Sequence, residues 1–142
     1  MERVLVAAGL VAVAVVVAFV LRRRPPEAPT QPKRWPVPSQ LDRADFDSPE
    51  VPWLVVVFTS STCDTCAGAI ERARPLASPQ VVVQEVAWQH AKALHDRYCV
   101  EAVPCTVVAD AEGVVQAGFV GQVTAQDLWA AVAIARDTPN PS

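Results

Sequence analysis

Hydrophobic positions in this chain follow two different patterns. From Val4 to Leu21 they are continuous, with no charge and no side-chain hydrogen-bonding group. From Trp53 onward they come in short bursts separated by polar and turn-forming residues. Trp53-Leu54-Val55-Val56-Val57-Phe58 is an unbroken apolar run that fits a strand buried on both faces. Cys63 to Arg74 reads as a helix, with Ser61 or Thr62 as its N-cap and Pro75 ending or kinking it. Val81 to Val86 is a second strand. Trp88 to Tyr98 reads as a second helix, with Ala91, Leu94 and Tyr98 at spacings of three and four. Cys105 to Ala109 is a third strand. Asp110-Ala111-Glu112-Gly113 reads as a hairpin turn into a fourth, Val114 to Val120. A last helix opens near Thr124, with Asp127 in its first turn and Leu128, Ala131, Val132 and Ala135 on one face. The order β-α-β-α-β-β-α predicts an α/β domain. Its four-stranded sheet is mixed and flanked by helices, with one parallel pair and a closing antiparallel hairpin.

The N-terminal run predicts a membrane anchor. Residues 4–21 span about 27 Å as a helix, close to the ~30 Å hydrocarbon core. A buried core helix would show a polar face, and this run has none. A cleaved signal peptide would be shorter and end in small residues, whereas this run stops at Arg22-Arg23-Arg24. The excess of arginine on its C-terminal side places the following domain in the cytoplasm by the positive-inside bias, with the extracytoplasmic side as the alternative. Six of the 13 prolines fall in residues 25–38, which suits a semi-stiff polyproline spacer over residues 22–44. The folded domain is expected over 45–138, and residues 139–142 as a disordered tail.

Charge sharpens this division. The 142 residues carry a formal net charge of −3. Residues 22–44 hold six basic and two acidic side chains, a net of +4, whereas residues 45–142 hold five basic and twelve acidic, a net of −7. An acidic domain argues against nucleic-acid binding. A hydrophobic content of 51% argues against a disordered chain. The length suits one domain, expected as a monomer.

The candidate chemistry lies in four cysteines. Cys63-Asp64-Thr65-Cys66 falls where a buried strand gives way to a helix. Unpaired backbone N–H groups and the helix dipole there favour the thiolate, the form that attacks disulfides. Cys63 is the expected nucleophile and Cys66, one turn inside, the resolving thiol. Val103-Pro104-Cys105 places a proline immediately before a strand, which suits a cis peptide packed against the cysteine pair.

With these residues in place the sequence resembles the thioredoxin family. The resemblance is carried by Phe58-Thr-Ser-Ser-Thr-Cys-Asp-Thr-Cys66 and Tyr98-Cys-Val-Glu-Ala-Val-Pro-Cys-Thr-Val-Val-Ala-Asp110, with Gly113 and Gly121 adding to it. It implies the thioredoxin fold over residues 45–138, thiol–disulfide exchange, and a cis proline at Pro104 supported by Val103. Protein disulfides or dithiols would be the substrates, an upstream electron donor the source of reducing equivalents, and no cofactor is implied. The departures matter. The family's Trp before the first Cys is Thr62 here, its Gly-Pro between the cysteines is Asp64-Thr65, and its buried Asp falls at Val57. An acid beside Cys63 opposes the thiolate that the helix dipole supports, so a reductase or weak exchanger is expected rather than a strong oxidant.

Alternatives come from the same residues. Cys99 and Cys105 read as two small buried residues, as a second disulfide, or, for Cys105, as a thiol near the active pair. Four cysteines could hold structural zinc, but only Cys63-x2-Cys66 has knuckle-like spacing, and no metal is expected. A thioredoxin-fold binding module without redox activity is a further reading. His90 and His95 are expected at the surface, and Trp53 and Trp129 in the core.

Overall fold

In a computed structural model the described residues are Met1, 13–17 and 35–138; 13–17 are helical. The chain divides into two units, Met1–Arg34 and Trp35–Ser142. The predicted anchor over 4–21, the predicted spacer as far as residue 34 and the predicted tail at 139–142 lie largely or wholly outside the described residues. No helix among the described residues is long and apolar enough to cross a membrane.

The second unit contains four strands, β1 (Trp53–Thr59), β2 (Val81–Ala87), β3 (Cys105–Ala109) and β4 (Val115–Val120). Its helices are α1 (Cys66–Ala73), α2 (Trp88–Arg97) and α3 (Ala125–Asp137). The sheet order is β2-β1-β3-β4. β1 runs parallel to β2, which α1 makes possible as the crossover between them, and antiparallel to β3. β3 and β4 form the predicted hairpin. β1 is buried from Leu54 to Thr59 because it is central and covered on both faces.

Successive strand residues point to opposite faces, so β1 feeds two cores. Val55 and Val57 join Ala69, Ile70 and Ala73 of α1 and Leu128, Val132 and Ala135 of α3. Leu54, Val56 and Phe58 join Val86, Cys105 and Val107 on the other face, where Ala91 and Leu94 of α2 and Tyr98 pack. Each fully buried Val, Leu or Phe side chain contributes about 1.5–3 kcal/mol.

Several boundaries differ from the sequence expectation. α1 starts at Cys66, not Cys63, and its N-cap is Thr65, which makes no side-chain cap bond; neither Ser61 nor Thr62 caps it. The polar cluster Ser60–Thr62 instead bonds within itself and to Gln89. Pro75 does end the α-helix, which tightens into a 3-10 turn at Arg74–Leu76. α2 carries a break in helical geometry at Ala91. β4 starts at Val115, and Val114 instead bridges Gln40.

The compact unit also begins earlier than 45. Leu41 and Arg43 are buried, and Leu41 N–H donates to the Gly113 carbonyl at 2.8 Å. Gly113 has φ +80°, and a Cβ there would collide with the Leu41 carbonyl. Arg43, placed in the spacer by its charge, spends its guanidinium on three carbonyls: Asp110, Val51 and Ser48. Burial lowers its pKa, against the opposing pull of Asp110. Two aromatic and imidazole expectations also reverse. His95 is buried, and Trp129 is exposed with its indole N–H on the Arg72 carbonyl at 2.9 Å.

Candidate active site

β1 ends at Thr59, and the chain then makes a tight turn before α1. Cys63 N–H donates to the Ser60 carbonyl at 3.1 Å, and Cys66 N–H to the Cys63 carbonyl at 3.4 Å. Gln89 at the start of α2 clamps this turn from the side: its amide donates to Ser60 Oγ and its carbonyl accepts from Ser61 N–H, both at 3.1 Å. Cys63 and Cys66 are joined by a disulfide, with Cα atoms 5.5 Å apart.

The two sulfurs occupy different environments. Cys63 is half-buried and sits in the turn, with Thr65 Oγ1 3.7 Å from its Sγ. Cys66 is only 4% exposed and is the first residue of α1. One sulfur is thus accessible and the other sheltered. The helix dipole acts differently from the sequence expectation, because the helix begins at the second cysteine. Cys63 therefore faces the first turn of α1 from outside it. Asp64 is exposed and Thr65 half-buried.

The Val103–Pro104 peptide is cis. Pro104 is buried, and its carbonyl accepts from Gly121 N–H at 2.8 Å, which ties the loop before β3 to the end of β4. Val103 is half-buried and lines a shallow groove with Ser60, Thr62, Trp88, Gln89, His95, Val100 and Glu101. A second, larger cleft holds both sulfurs, with Thr59, Ile70, Glu71, Arg74, Glu85 and His90 among its lining residues. Ser60 and Gln89 border both hollows.

The remaining cysteines are free and do not pair. Cys99 is exposed at φ +52°, just beyond the end of α2. Cys105 is fully buried in the core under α2, the face of the sheet opposite α1. It is not bonded to either sulfur of the Cys63–Cys66 pair. Burial pushes its thiol up to about 11. Among the described residues no group of three or more His, Cys, Asp or Glu could hold a metal ion.

Sequence reasoning overlooked Glu85, Thr59, Gln89 and Trp88. For Glu85 a signal existed: in β2 it shares strand parity with Val81 and Val83, which pack on the α1 core, so a carboxylate is placed on a core-facing row.

Comparison with solved structures places this architecture. Three thioredoxins are similar to it. A mutant thioredoxin from Halobacterium salinarum matches at TM-score 0.57 and 18% identity, covering 66% of this chain and 82% of the other. The germline-specific thioredoxin Deadhead of Drosophila melanogaster matches at 0.53 and 21%, covering 65% and 87%. Oxidised mitochondrial thioredoxin 3 of Saccharomyces cerevisiae matches at 0.51 and 18%, covering 60% and 80%. No family model matches the sequence, and no curated protein matches it. The chain has the thioredoxin fold.

Proposed function

We propose that this thioredoxin-fold chain is a protein thiol–disulfide oxidoreductase, working as a reductase or weak exchanger and tethered to a membrane by residues 4–21. One observation carries the reading. The Cys63–Cys66 disulfide lies between the end of the buried central strand and the start of α1, with one sulfur accessible and the other sheltered. In the reduced form the Cys63 thiolate attacks a substrate disulfide, forms a mixed disulfide and expels the first substrate thiolate. Cys66 then attacks Cys63 Sγ, closing the intramolecular disulfide and releasing the second substrate thiolate. Two electrons pass from the dithiol to the substrate, and a dithiol donor restores the reduced form. The groove beside Val103 and Trp88 offers a half-apolar bed for the substrate segment next to its disulfide.

A weak exchanger rather than a strong oxidant is supported by Asp64. It is an exposed negative charge next to Cys63, and it disfavours the thiolate that would otherwise lower the stability of the disulfide form. The tether is supported by the uninterrupted apolar run and the arginine triplet that follows it.

The reading is tested by insulin reduction with the full chain and dithiothreitol. Acceleration that falls to background in Cys63→Ser supports it. No acceleration by the unmodified chain would leave a binding module on a redox fold. Tethering is tested by resistance of the full chain to carbonate extraction from membranes, lost when residues 4–21 are deleted. For the cytoplasmic placement, Cys63 in a Cys99→Ser background should be protected from an impermeant thiol reagent in intact cells. Labelling there would put the domain on the outer side.

A further inference from the structure

The resolving step needs a proton acceptor, because Cys66 is buried and burial favours the neutral thiol over the attacking thiolate. Val57, fully buried in the middle of β1, has no group that could take that proton. Its cross-strand neighbours are polar: β-register sets Glu85 opposite it on β2 and Thr106 opposite it on β3. Glu85 shares the face of the sheet that α1 covers. It also lines the same cleft as Cys63 and Cys66. Glu85 is exposed, and its carboxylate is anchored by one hydrogen bond. Thr59, 2% exposed at the end of β1, donates its hydroxyl to Glu85 Oε1 at 2.7 Å.

We propose that Glu85, held by the Thr59 hydroxyl one strand away from Val57, takes the proton from Cys66 through the cleft when the mixed disulfide is resolved. This rests on the thiol–disulfide reading above. The Cys66 thiol gives its proton to the Glu85 carboxylate, and its sulfur bonds to Cys63 Sγ. The bond from Cys63 to the substrate sulfur breaks, and the substrate leaves as a thiolate that is protonated by solvent or by Glu85. The cysteine pair is oxidised and the substrate sulfur reduced.

The other charged or titratable groups on this cleft are Glu71 and Arg74 from the α1 side, His90 from α2, and Cys63 itself. Glu71 is the rival carboxylate. It lies five residues along α1 from Cys66, about 140° round the helix at 3.6 residues per turn, and, like Glu85, is exposed. His90 is exposed on the far wall.

The experiment uses the reduced full chain in a Cys99→Ser background and 5,5′-dithiobis(2-nitrobenzoate). Attack by Cys63 releases one thionitrobenzoate, and resolution by Cys66 releases a second. Glu85→Gln should slow the second release by about tenfold or more at neutral pH, in keeping with general-base catalysis, and leave the first unchanged. The deficit should shrink as pH rises and Cys66 ionises unaided. Glu85→Asp should recover part of the rate, and Thr59→Val should lose part of it. A second release equal to the parent at every pH overturns the proposal, as does equal slowing of both releases or the same defect in Glu71→Gln alone. Absence of any second release in the parent chain overturns the functional reading itself.

Discussion

The Nε2–H of His95 donates to the main-chain carbonyl of Val86 at 2.9 Å, pinning the last turn of α2 to the end of β2. A carbonyl oxygen only accepts, so this fixes the proton on Nε2. The same ring meets Phe58 edge-on at 5.1 Å between centroids, so one imidazole joins α2, β2 and β1. His95 is 2% exposed and makes both contacts where water cannot substitute.

His95→Ala removes the donor and leaves a buried cavity against Phe58. A loss of about 2–4 kcal/mol in unfolding free energy is expected, read from the urea midpoint at constant m. His95→Gln, which can still donate, should recover part of it. If His95→Ala leaves the midpoint unchanged, the link between α2 and the sheet is not structural.

Cys99 stands at φ +52°, a conformation that suits glycine far better than a residue with a Cβ. Its N–H closes the end of α2 on the Asp96 carbonyl at 3.2 Å, so the position is a helix C-terminal turn. Cys99→Gly is expected to raise stability by about 0.5–1 kcal/mol, the relief of left-handed strain less the greater freedom of glycine in the unfolded chain. Thermal unfolding of the reduced protein checks it. The same change should abolish disulfide-linked dimers formed on air oxidation, because Cys99 is the exposed free thiol among the described residues.

The sequence of elements and the parallel or antiparallel pairing were legible wherever apolar runs were short and bounded. β1, β3 and the closing hairpin announced themselves because Val-rich bursts alternate with turn residues. The cysteine pair was legible for the same reason, since it follows a strand with no room for another element. The start of α1 was not. Ser61 and Thr62 are good capping residues by type, yet both their amides and the Thr62 hydroxyl are taken up by Ser60 and Gln89, a contact no local pattern reveals. His95 was misplaced because a polar residue on a helix reads as surface unless its carbonyl partner on another element is known. Arg43 failed likewise: a charge near a proline-rich stretch looks like part of a spacer, and only tertiary contact shows its three acceptors.

Cys105 makes stability depend on alkaline pH. Its thiol is raised to about 11 by desolvation, so the folded state holds the proton more tightly than the unfolded chain does. The favourable term is complete below the unfolded pKa and is lost as pH rises through the folded one. Stability should therefore fall between about pH 9 and about pH 11, by on the order of 3 kcal/mol from this group. Tyr98, raised by burial and by its bond to Asp45, adds to the fall at higher pH. Cys105→Ala should flatten the pH 9–11 segment of a urea-midpoint profile while leaving the Tyr98 part. An identical slope in both proteins would show that Cys105 ionises without cost.

Asp64 sets a negative charge beside Cys63. It is exposed, so its influence on Cys63 acts through solvent and is screened by salt. Asp64→Asn should lower the Cys63 pKa in the reduced protein, followed by thiolate absorbance at 240 nm. The difference between variant and parent should narrow as ionic strength rises. The redox potential should move with it toward the oxidising side, because stabilising the thiolate stabilises the reduced form. A Cys63 pKa that stays put or rises would mean that the first turn of α1, beginning three residues later at Cys66, governs this sulfur alone.

The segment before β1 is held by a single buried cation. Arg43 is 7% exposed, and its two terminal nitrogens reach Asp110, Val51 and Ser48 carbonyls at 2.9, 2.8 and 3.3 Å. These acceptors come from the turn after β3 and from the loop leading into β1, so the guanidinium clamps the N-terminal segment across the end of the sheet opposite the disulfide. A planar fork suits three carbonyls spread over two segments, and a single ammonium does not. Arg43→Lys should therefore behave more like Arg43→Ala than like the parent. Either change should cost about 2–4 kcal/mol, since buried carbonyls lose their donor. Hydrogen exchange would localise the effect: amides at Leu41 and Val115, which pair with Gly113 and Ser39 carbonyls, should lose protection first. The Cys63–Cys66 exchange rate should remain unchanged, because the clamp and the disulfide sit at opposite ends of β1.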